Sequence, residues 1–220
     1  MSLWVKICAN TSLDDARVAA EAGADAVGFV FAPSPRQVTI TEAAAITAGL
    51  PEAIEKIGVF VDASLVEILE AVQKAGLTGA QLHFDAPRTF TASLRQALGK
   101  ERKILRVIHF DHFDPGTVLD YEEKLGDPSV DAVLVDARTR TAVGGTGKTF
   151  DWRSASETLL RAARQRGTRL IVAGGLYPGN VAAAIQALAP WGVDVASGVE
   201  AAPGKKNPAE VRAFLAAAHS

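Results

Sequence analysis

Short apolar runs alternate with longer amphipathic segments along the chain. The runs are rich in β-branched residues, which is typical of buried strands, and the segments between them repeat their apolar residues at helical spacing. The predicted strands are Val5–Cys8, Ala26–Phe31, Lys56–Val61, Ala80–His83, Ile104–Ile108, Ala132–Asp136, Leu170–Ala173 and Asp194–Ala196. The predicted helices are Leu13–Ala22, Thr41–Ala48, Leu65–Ala75, Thr91–Leu98, Val118–Leu125, Ser154–Arg166, Asn180–Leu188 and Pro208–Ala217.

Capping residues support these boundaries. Ser12 precedes the first helix with Asp15 three residues later, and Thr39 precedes the second helix with Glu42 in the same relation. Side chains at this spacing can bond to the free N–H groups of a helix N-terminus. Glycines suited to a left-handed helix end follow six segments: Gly23, Gly49, Gly76, Gly99, Gly126 and Gly167.

Eight strands that alternate with eight helices favour an α/β fold of the (β/α)8 TIM-barrel type, with eight parallel strands and an outer ring of helices. A doubly wound open sheet is the alternative. Similar turns from a helix into a strand recur at Gly23–Val27, Val130–Val133 and Gly192–Val195, so the βα unit repeats. No linker rich in Pro, Gly or Ser divides the chain, and we expect one barrel domain over residues 1–220.

Composition narrows the class of protein. The chain is 48% apolar and 22% charged with a net charge of −2, which gives no electrostatic reason to expect binding to nucleic acid or to an anionic membrane. Its single cysteine cannot form an internal disulfide, which favours a reducing compartment. The sequence contains neither a signal-peptide pattern nor an apolar run long enough to span a bilayer. We therefore expect a soluble, cytoplasmic protein.

In a (β/α)8 barrel the working side chains lie at the C-terminal ends of the strands. Cys8 ends the first predicted strand and Asp136 ends the sixth. Alternation along the first strand points Lys6 and Cys8 into the barrel, with Val5 and Ile7 facing the helices. An ammonium beside a thiol favours the thiolate, so Lys6 is expected to lower the pKa of Cys8. On these grounds alone Cys8 is either core packing or a reactive thiol.

Further polar residues lie at strand positions. Asp136 is either a cap for the loop that follows it or a general acid. His83 is expected to be a structural hydrogen-bonding residue. A hydrogen-bonded polar layer inside the barrel is predicted for Lys6, Gln81, Arg106 and Asp194.

Glycine-rich loops follow three strands, at Gly144–Thr149, Ala173–Leu176 and Ala196–Glu200. The first is not a phosphate loop of the Walker A type, because Ala142 stands where that motif needs a glycine five residues before Gly147. The other two follow the seventh and eighth strands, where barrels bind phosphate through backbone N–H groups. The candidate phosphate-binding residues are Gly174, Gly175, Ser197 and Gly198.

Arg36 lies in a proline-stiffened loop, Ala32–Val38, after the second strand. A guanidinium at the barrel mouth can bind a carboxylate through two hydrogen bonds, and the alternative is a solvated surface arginine. No Cys/His cluster has metal-ligand spacing, and no G-x-G-x-x-G follows the first strand, so neither a metal nor a dinucleotide cofactor is expected.

Several motifs together resemble one enzyme family. They are VKIC from Val5, GFVF from Gly28 with SPRQV from Ser34, GVFV from Gly58, QLH from Gln81, VD at Val135, GGTGKTFDW from Gly144, AGGLYPGNV from Ala173 and SGVE from Ser197. In this order and spacing they resemble the phosphoribosylanthranilate isomerases of tryptophan biosynthesis. The resemblance implies a cofactor-free (β/α)8 enzyme, monomeric or homodimeric, that acts on a small phosphorylated substrate. The implied reaction is the Amadori rearrangement of N-(5-phosphoribosyl)anthranilate.

The resemblance also assigns roles to individual residues. It places the general base on Cys8 and the general acid on Asp136, and it implies that Arg36 binds the substrate carboxylate and Asp194 the sugar. Gly174, Gly175, Ser197 and Gly198 fall on the phosphate loops of the family. Such a mechanism needs a raised pKa at the acid and a lowered pKa at the base.

The chain departs from the family pattern at two places. Ala9 and Asn10 follow the cysteine where the family usually has a glycine, and a positive φ at Ala9 would cost about 1 kcal/mol or more. Phe84 replaces a glycine after QLH and is expected to narrow the site near the anthranilate ring.

Three other functions are alternatives to this isomerase. The first is another phosphosugar barrel enzyme, which would need a Lys/Glu catalytic set that Lys6 alone does not supply. The second is a non-catalytic phosphate-binding paralogue, and the third is activity on a related aminoaldose of histidine biosynthesis.

Overall fold

The computed structural model describes residues 3–109, 124–136 and 162–220. In these residues eight parallel strands pair in sequence order and close into a barrel, because the first strand pairs with the eighth as well as with the second. The predicted (β/α)8 barrel is thus confirmed, and the alternative of an open sheet is wrong. The strands are β1 Trp4–Ile7, β2 Ala26–Val30, β3 Glu55–Phe60, β4 Gly79–Leu82, β5 Lys103–His109, β6 Ala132–Asp136, β7 Leu170–Ala173 and β8 Gly192–Val195.

Helices connect the strands on the outside of the barrel. The described helices are α1 Leu13–Glu21, α2 Ile40–Ala48, α3 Leu65–Lys74, α4 Arg88–Leu98, α5 Val181–Leu188 and α6 Pro208–Ala218. Their bounds differ from the predicted ones only at the ends. The Ser12 side chain accepts a hydrogen bond from the Asp15 N–H, and Thr39 and Glu42 form the reciprocal cap that their spacing predicted. Most of the two remaining predicted helices, at 118–125 and 154–166, lies outside the described residues.

The core has two layers, because side chains of each strand alternate between the barrel interior and the helices. Val5 and Ile7 pack against the outer helices, as predicted. The interior is filled by Trp4, Ala26, Ile57, Leu105, Val107, Ala132, Leu134, Ile171 and Ala173.

The predicted position of Arg106 in the interior polar layer is wrong. Its neighbours Leu105 and Val107 take the interior positions of β5, so Arg106 faces the helices. There it forms an ion pair of 3.4 Å with Asp127, which also accepts a hydrogen bond of 2.7 Å from the Thr91 hydroxyl. Arg106 therefore fastens β5 to α4 and belongs to no interior site.

A short hairpin follows β8 that the sequence analysis did not predict. A single 3₁₀ turn, Ser197–Val199, leads into β9, Glu200–Ala202, which pairs antiparallel with β10, Lys205–Lys206. Strands of this length carry too few residues to show an alternation pattern. The hairpin lies between the barrel mouth and α6, so it can place side chains near the strand ends.

Two further observations concern the described residues as a set. None of the described helices combines the length and the apolar character needed to cross a bilayer. Within the same residues, no group of His, Cys, Asp and Glu side chains is arranged to hold a metal ion.

Candidate active site

Cys8 lies inside the barrel at the C-terminal end of β1 and is 6% exposed. Its N–H donates a hydrogen bond of 2.7 Å to the Val195 carbonyl, which fixes the turn out of the strand. Gly28 of β2 faces the thiol so closely that a Cβ atom there would lie 2.6 Å from Sγ. Gly28 is thus a site residue that sequence reasoning missed, and its signal was a glycine in the middle of a strand.

Lys6 and Asp194 form a buried ion pair next to Cys8. Strands β1 and β8 pair in a register that sets these two residues side by side, and Nζ lies 3.0 Å from Oδ1. Lys6 is fully buried, and both Asp194 and the Cys8 thiol act electrostatically on its ammonium. Burial lowers the pKa of Lys6, but Asp194 and Cys8 outweigh it, so the pKa lies above its ordinary value and the ammonium persists.

The predicted direction of the Cys8 pKa is wrong. Burial raises the pKa of the thiol and outweighs Lys6, whose ammonium lowers it, while Asp194 raises it further. The sequence argument counted the neighbouring charge but not the removal of the thiolate from water. Of the two lysines that favour the thiolate, Lys6 and Lys206, Lys6 has the larger effect and therefore limits how far the pKa rises.

Asp136 is the last residue of β6 and is half-buried. Its side chain is on the interior face of the strand, because Leu134 faces the interior while Val133 and Val135 face the helices. Burial raises the pKa of Asp194 against the opposing effect of Lys6, and the Asp136 carboxylate raises it further. Because β1 and β6 are parallel strands of one closed barrel, the two predicted catalytic residues, Cys8 and Asp136, lie at the same end of it.

Arg36 is not a solvated surface side chain. Its Nε and Nη2 donate hydrogen bonds of 2.9 and 2.6 Å to the two carboxylate oxygens of Glu200. The Glu200 side chain is 4% exposed and lies 3.3 Å from Nζ of the buried Lys206, which donates to the Ala196 carbonyl. Sequence reasoning missed Glu200 and Lys206, because nothing in the sequence shows that the hairpin returns to the Arg36 loop.

The two predicted phosphate loops pack directly on each other. Gly174 and Gly175 have φ angles of +86° and +71°, which side chains other than glycine rarely adopt. A Cβ atom on Gly198 would lie 1.8 Å from the Leu176 carbonyl oxygen, so this contact between backbones requires glycine. Ser197 begins the 3₁₀ turn beside it. All four predicted residues therefore meet at one place, while the Gly144 motif lies outside the described residues.

The two departures from the family pattern have structural consequences. Ala9 adopts φ +63°, a left-handed conformation that strains a residue with a Cβ atom. Asn10 holds this turn, since its Nδ2 donates to the carbonyls of Ile7 and Gly28 at 2.8 and 3.3 Å. The Phe84 ring packs edge-on against Phe90 of α4, with centroids 5.5 Å apart.

Comparison with known proteins agrees with this geometry. A family model described as N-(5'phosphoribosyl)anthranilate (PRA) isomerase matches residues 5–217. The chain belongs to this family. The Rubrobacter xylanophilus N-(5'-phosphoribosyl)anthranilate isomerase is 43% identical, over 98% of this chain and 98% of the relative. The Pelobacter propionicus N-(5'-phosphoribosyl)anthranilate isomerase is 42% identical, over 96% of this chain and 93% of the relative.

Solved structures of phosphoribosylanthranilate isomerases superpose on the same barrel. The Thermotoga maritima isomerase is 36% identical, with a TM-score of 0.82 and 98% of each chain covered. A second solved isomerase, 34% identical with a TM-score of 0.79 and 98% of each chain covered, is in complex with reduced 1-(o-carboxyphenylamino)-1-deoxyribulose 5-phosphate. That isomerase thus binds a molecule with a phosphate at one end and a carboxylate at the other.

Proposed function

We propose that this chain catalyses the Amadori rearrangement of N-(5-phosphoribosyl)anthranilate to 1-(2-carboxyphenylamino)-1-deoxy-D-ribulose 5-phosphate in tryptophan biosynthesis. The observation that carries the proposal is that Cys8 directly follows β1 and Asp136 ends β6, so both lie at the C-terminal end of the closed barrel, where Lys6 and Asp194 form a buried ion pair next to Cys8. The family to which the chain belongs supports the choice of this reaction over that of another phosphosugar barrel.

Asp136 acts as the general acid and Cys8 as the general base. Protonated Asp136 donates its proton to the ribose ring oxygen, and the C1–O bond breaks to give the open-chain Schiff base. The Cys8 thiolate then removes the proton from C2, which leaves an enolamine between C1 and C2. The enolamine tautomerises to the C2 ketone when C1 gains a proton and the C2 hydroxyl loses one.

The rest of the site binds the two anionic ends of the substrate. The loops around Gly174–Gly175 and Ser197–Gly198 bind the phosphate through backbone N–H groups, Arg36 binds the anthranilate carboxylate and Asp194 the sugar hydroxyls. This binding uses no cofactor. The enzyme is cytoplasmic, which fits its single unpaired cysteine, and is a monomer or homodimer. One T. maritima structure is described as monomers generated from a dimeric isomerase.

Substitution of the acid and the base tests this proposal. Cys8→Ser and Asp136→Asn should each lower kcat by about 100-fold or more, followed as the loss of fluorescence of substrate generated in situ. Asp62→Asn is the matched control: this exposed carboxylate follows β3 at the same end of the barrel, and its loss should leave kcat within about twofold. Near-wild-type kcat in Cys8→Ser would make Cys8 a packing residue. Wild-type protein that binds the substrate without turnover would instead favour a non-catalytic paralogue.

A further inference from the structure

The hairpin of β9 and β10 is fastened to the loop that carries Arg36. Gly204 at the hairpin turn packs so closely on the Arg36 loop that a Cβ atom there would lie 2.8 Å from the Pro35 carbonyl oxygen. From the loop after β1, the Thr11 hydroxyl also donates a hydrogen bond of 2.6 Å to the Gly204 carbonyl. The backbone contact at Pro35 and the side-chain contact at Arg36 thus join the same two segments.

Glu200 engages only one edge of the Arg36 guanidinium. The hydrogen bonds involve Nε and Nη2, which is the side-on arrangement of an arginine and a carboxylate. An arginine has five N–H donors in one plane, so the end-on edge, formed by Nη1 and the second Nη2 hydrogen, stays available. Among the described residues no acceptor meets Nη1, and a quarter of the Arg36 side chain is exposed. This edge can receive a second carboxylate without displacing the first.

Lys206 stabilises the charged form of the buried Glu200 carboxylate. Burial by itself raises the pKa of Glu200, but Arg36 and Lys206 together outweigh it and hold the pKa below its ordinary value. The carboxylate is therefore ionised at neutral pH. With two cations around one anion, the cluster of Arg36, Glu200 and Lys206 carries a net positive charge, which favours an anionic ligand beside Arg36.

We propose that Glu200 is a positioning residue that fixes the guanidinium plane of Arg36, so that its end-on edge receives the carboxylate of the substrate. Glu200 thereby determines the preference for a 2-carboxyphenylamino group over an unsubstituted phenylamino group. It directly follows the Ser197–Val199 turn assigned to the phosphate, so one segment sets the spacing between the two anionic ends. This inference rests on the proposed function.

Two inhibitors that differ only in the carboxyl group test it. The probes are reduced 1-(2-carboxyphenylamino)-1-deoxyribulose 5-phosphate and the same compound made from aniline. Wild-type enzyme should bind the carboxylated compound more tightly. Glu200→Gln keeps the shape of the side chain and removes its charge, so it should reduce this preference about tenfold, the effect of weakening one charge-assisted hydrogen bond. The inhibition constant of the aniline compound should stay unchanged.

Controls separate positioning from a general structural role. Glu70→Gln removes a carboxylate from an exposed ion pair with Lys74 and should leave both inhibition constants unchanged. Arg36→Met should abolish the preference, and adding Glu200→Gln to it should change nothing further, because Glu200 acts through Arg36. Arg36→Lys should also lose the preference, since an ammonium has no planar edge to hold.

Three results would overturn the inference. They are an equal rise of both inhibition constants in Glu200→Gln, a change of either inhibition constant when Glu200→Gln is added to Arg36→Met, and a wild-type preference in Arg36→Lys. The last result is independent of whether Glu200→Gln folds. Wild-type enzyme that binds neither compound and does not turn over the substrate would instead refute the proposed function itself.

Discussion

Cys8 is subject to two opposing influences on its thiol. Burial in the barrel disfavours the thiolate, and the Lys6 ammonium on the same strand face favours it. Burial is the larger influence, so at pH 7 a smaller fraction of this thiol is ionised than of a free cysteine. The proposed base therefore depends on Lys6 for whatever thiolate it has, and this dependence can be measured.

The rate at which iodoacetamide alkylates Cys8 reports its ionisation, since only the thiolate reacts and the chain has one cysteine. Because the pKa is raised, the rate should still increase with pH beyond about 8.5, the ordinary pKa of a thiol. Lys6→Met should move the profile to still higher pH. Lys74→Met, at an exposed lysine on α3, should not move it. A wild-type rate that levels off below pH 8 would contradict the expected direction.

The sequence could predict the direction of side chains on β1 but not the contacts of Cys8. Alternation alone places Lys6 and Cys8 in the interior, because Val5 and Ile7 are the apolar pair. The contact between Cys8 and Gly28 depends on the register between β1 and β2. A second unpredicted contact, between Arg36 and Glu200, joins residues that are far apart in the chain. Side-chain periodicity within one strand contains no information about either contact.

The proposed phosphate site depends on contact between two loops, one after β7 and one after β8. Gly198→Ala would place a Cβ atom 1.8 Å from the Leu176 carbonyl, so the two loops must separate. Inorganic phosphate should inhibit the wild-type enzyme competitively, and this substitution should raise its inhibition constant by about tenfold or more. Gly167→Ala also adds a Cβ atom to a glycine; it is strained by its φ of +67° but has open space around the Cβ, so it should leave the constant unchanged. Equal inhibition of all three proteins would remove these loops from the phosphate site.

Elements long enough to show a period were predicted from the sequence, and shorter ones were not. All eight barrel strands and the described helices were predicted because each presents its apolar residues at a regular spacing. The hairpin strands β9 and β10 are too short to do so. Arg106 was placed on the wrong face because its polarity, rather than the apolar neighbours Leu105 and Val107, was used to set the phase of β5.

At the scale of the whole molecule, the two ends of the barrel differ in function: one carries the proposed active site and the other stabilises the fold. The proposed catalytic and binding residues lie at the C-terminal ends of the strands. The opposite end is closed by Trp4 and Trp191, whose rings stack with centroids 5.2 Å apart. Nζ of Lys103 lies 5.9 and 5.8 Å from these two rings and forms an ion pair with Glu55. In TIM barrels this N-terminal end serves stability.

Lys103→Met should therefore lower stability and leave catalysis unchanged. The substitution keeps most of the aliphatic chain but removes the cation from the two indole rings and from Glu55, so the free energy of unfolding should fall by about 1 to 2 kcal/mol. Urea unfolding gives this quantity, and the fluorescence assay gives kcat/KM on the same preparation. Lys100→Met, an exposed lysine in the turn before β5, should change neither. Cys8→Ser should show the opposite result, with lost activity and an almost unchanged unfolding curve. A loss of kcat/KM in Lys103→Met without loss of stability would contradict this separation, because the N-terminal end would then be coupled to the chemistry at the other end of the barrel.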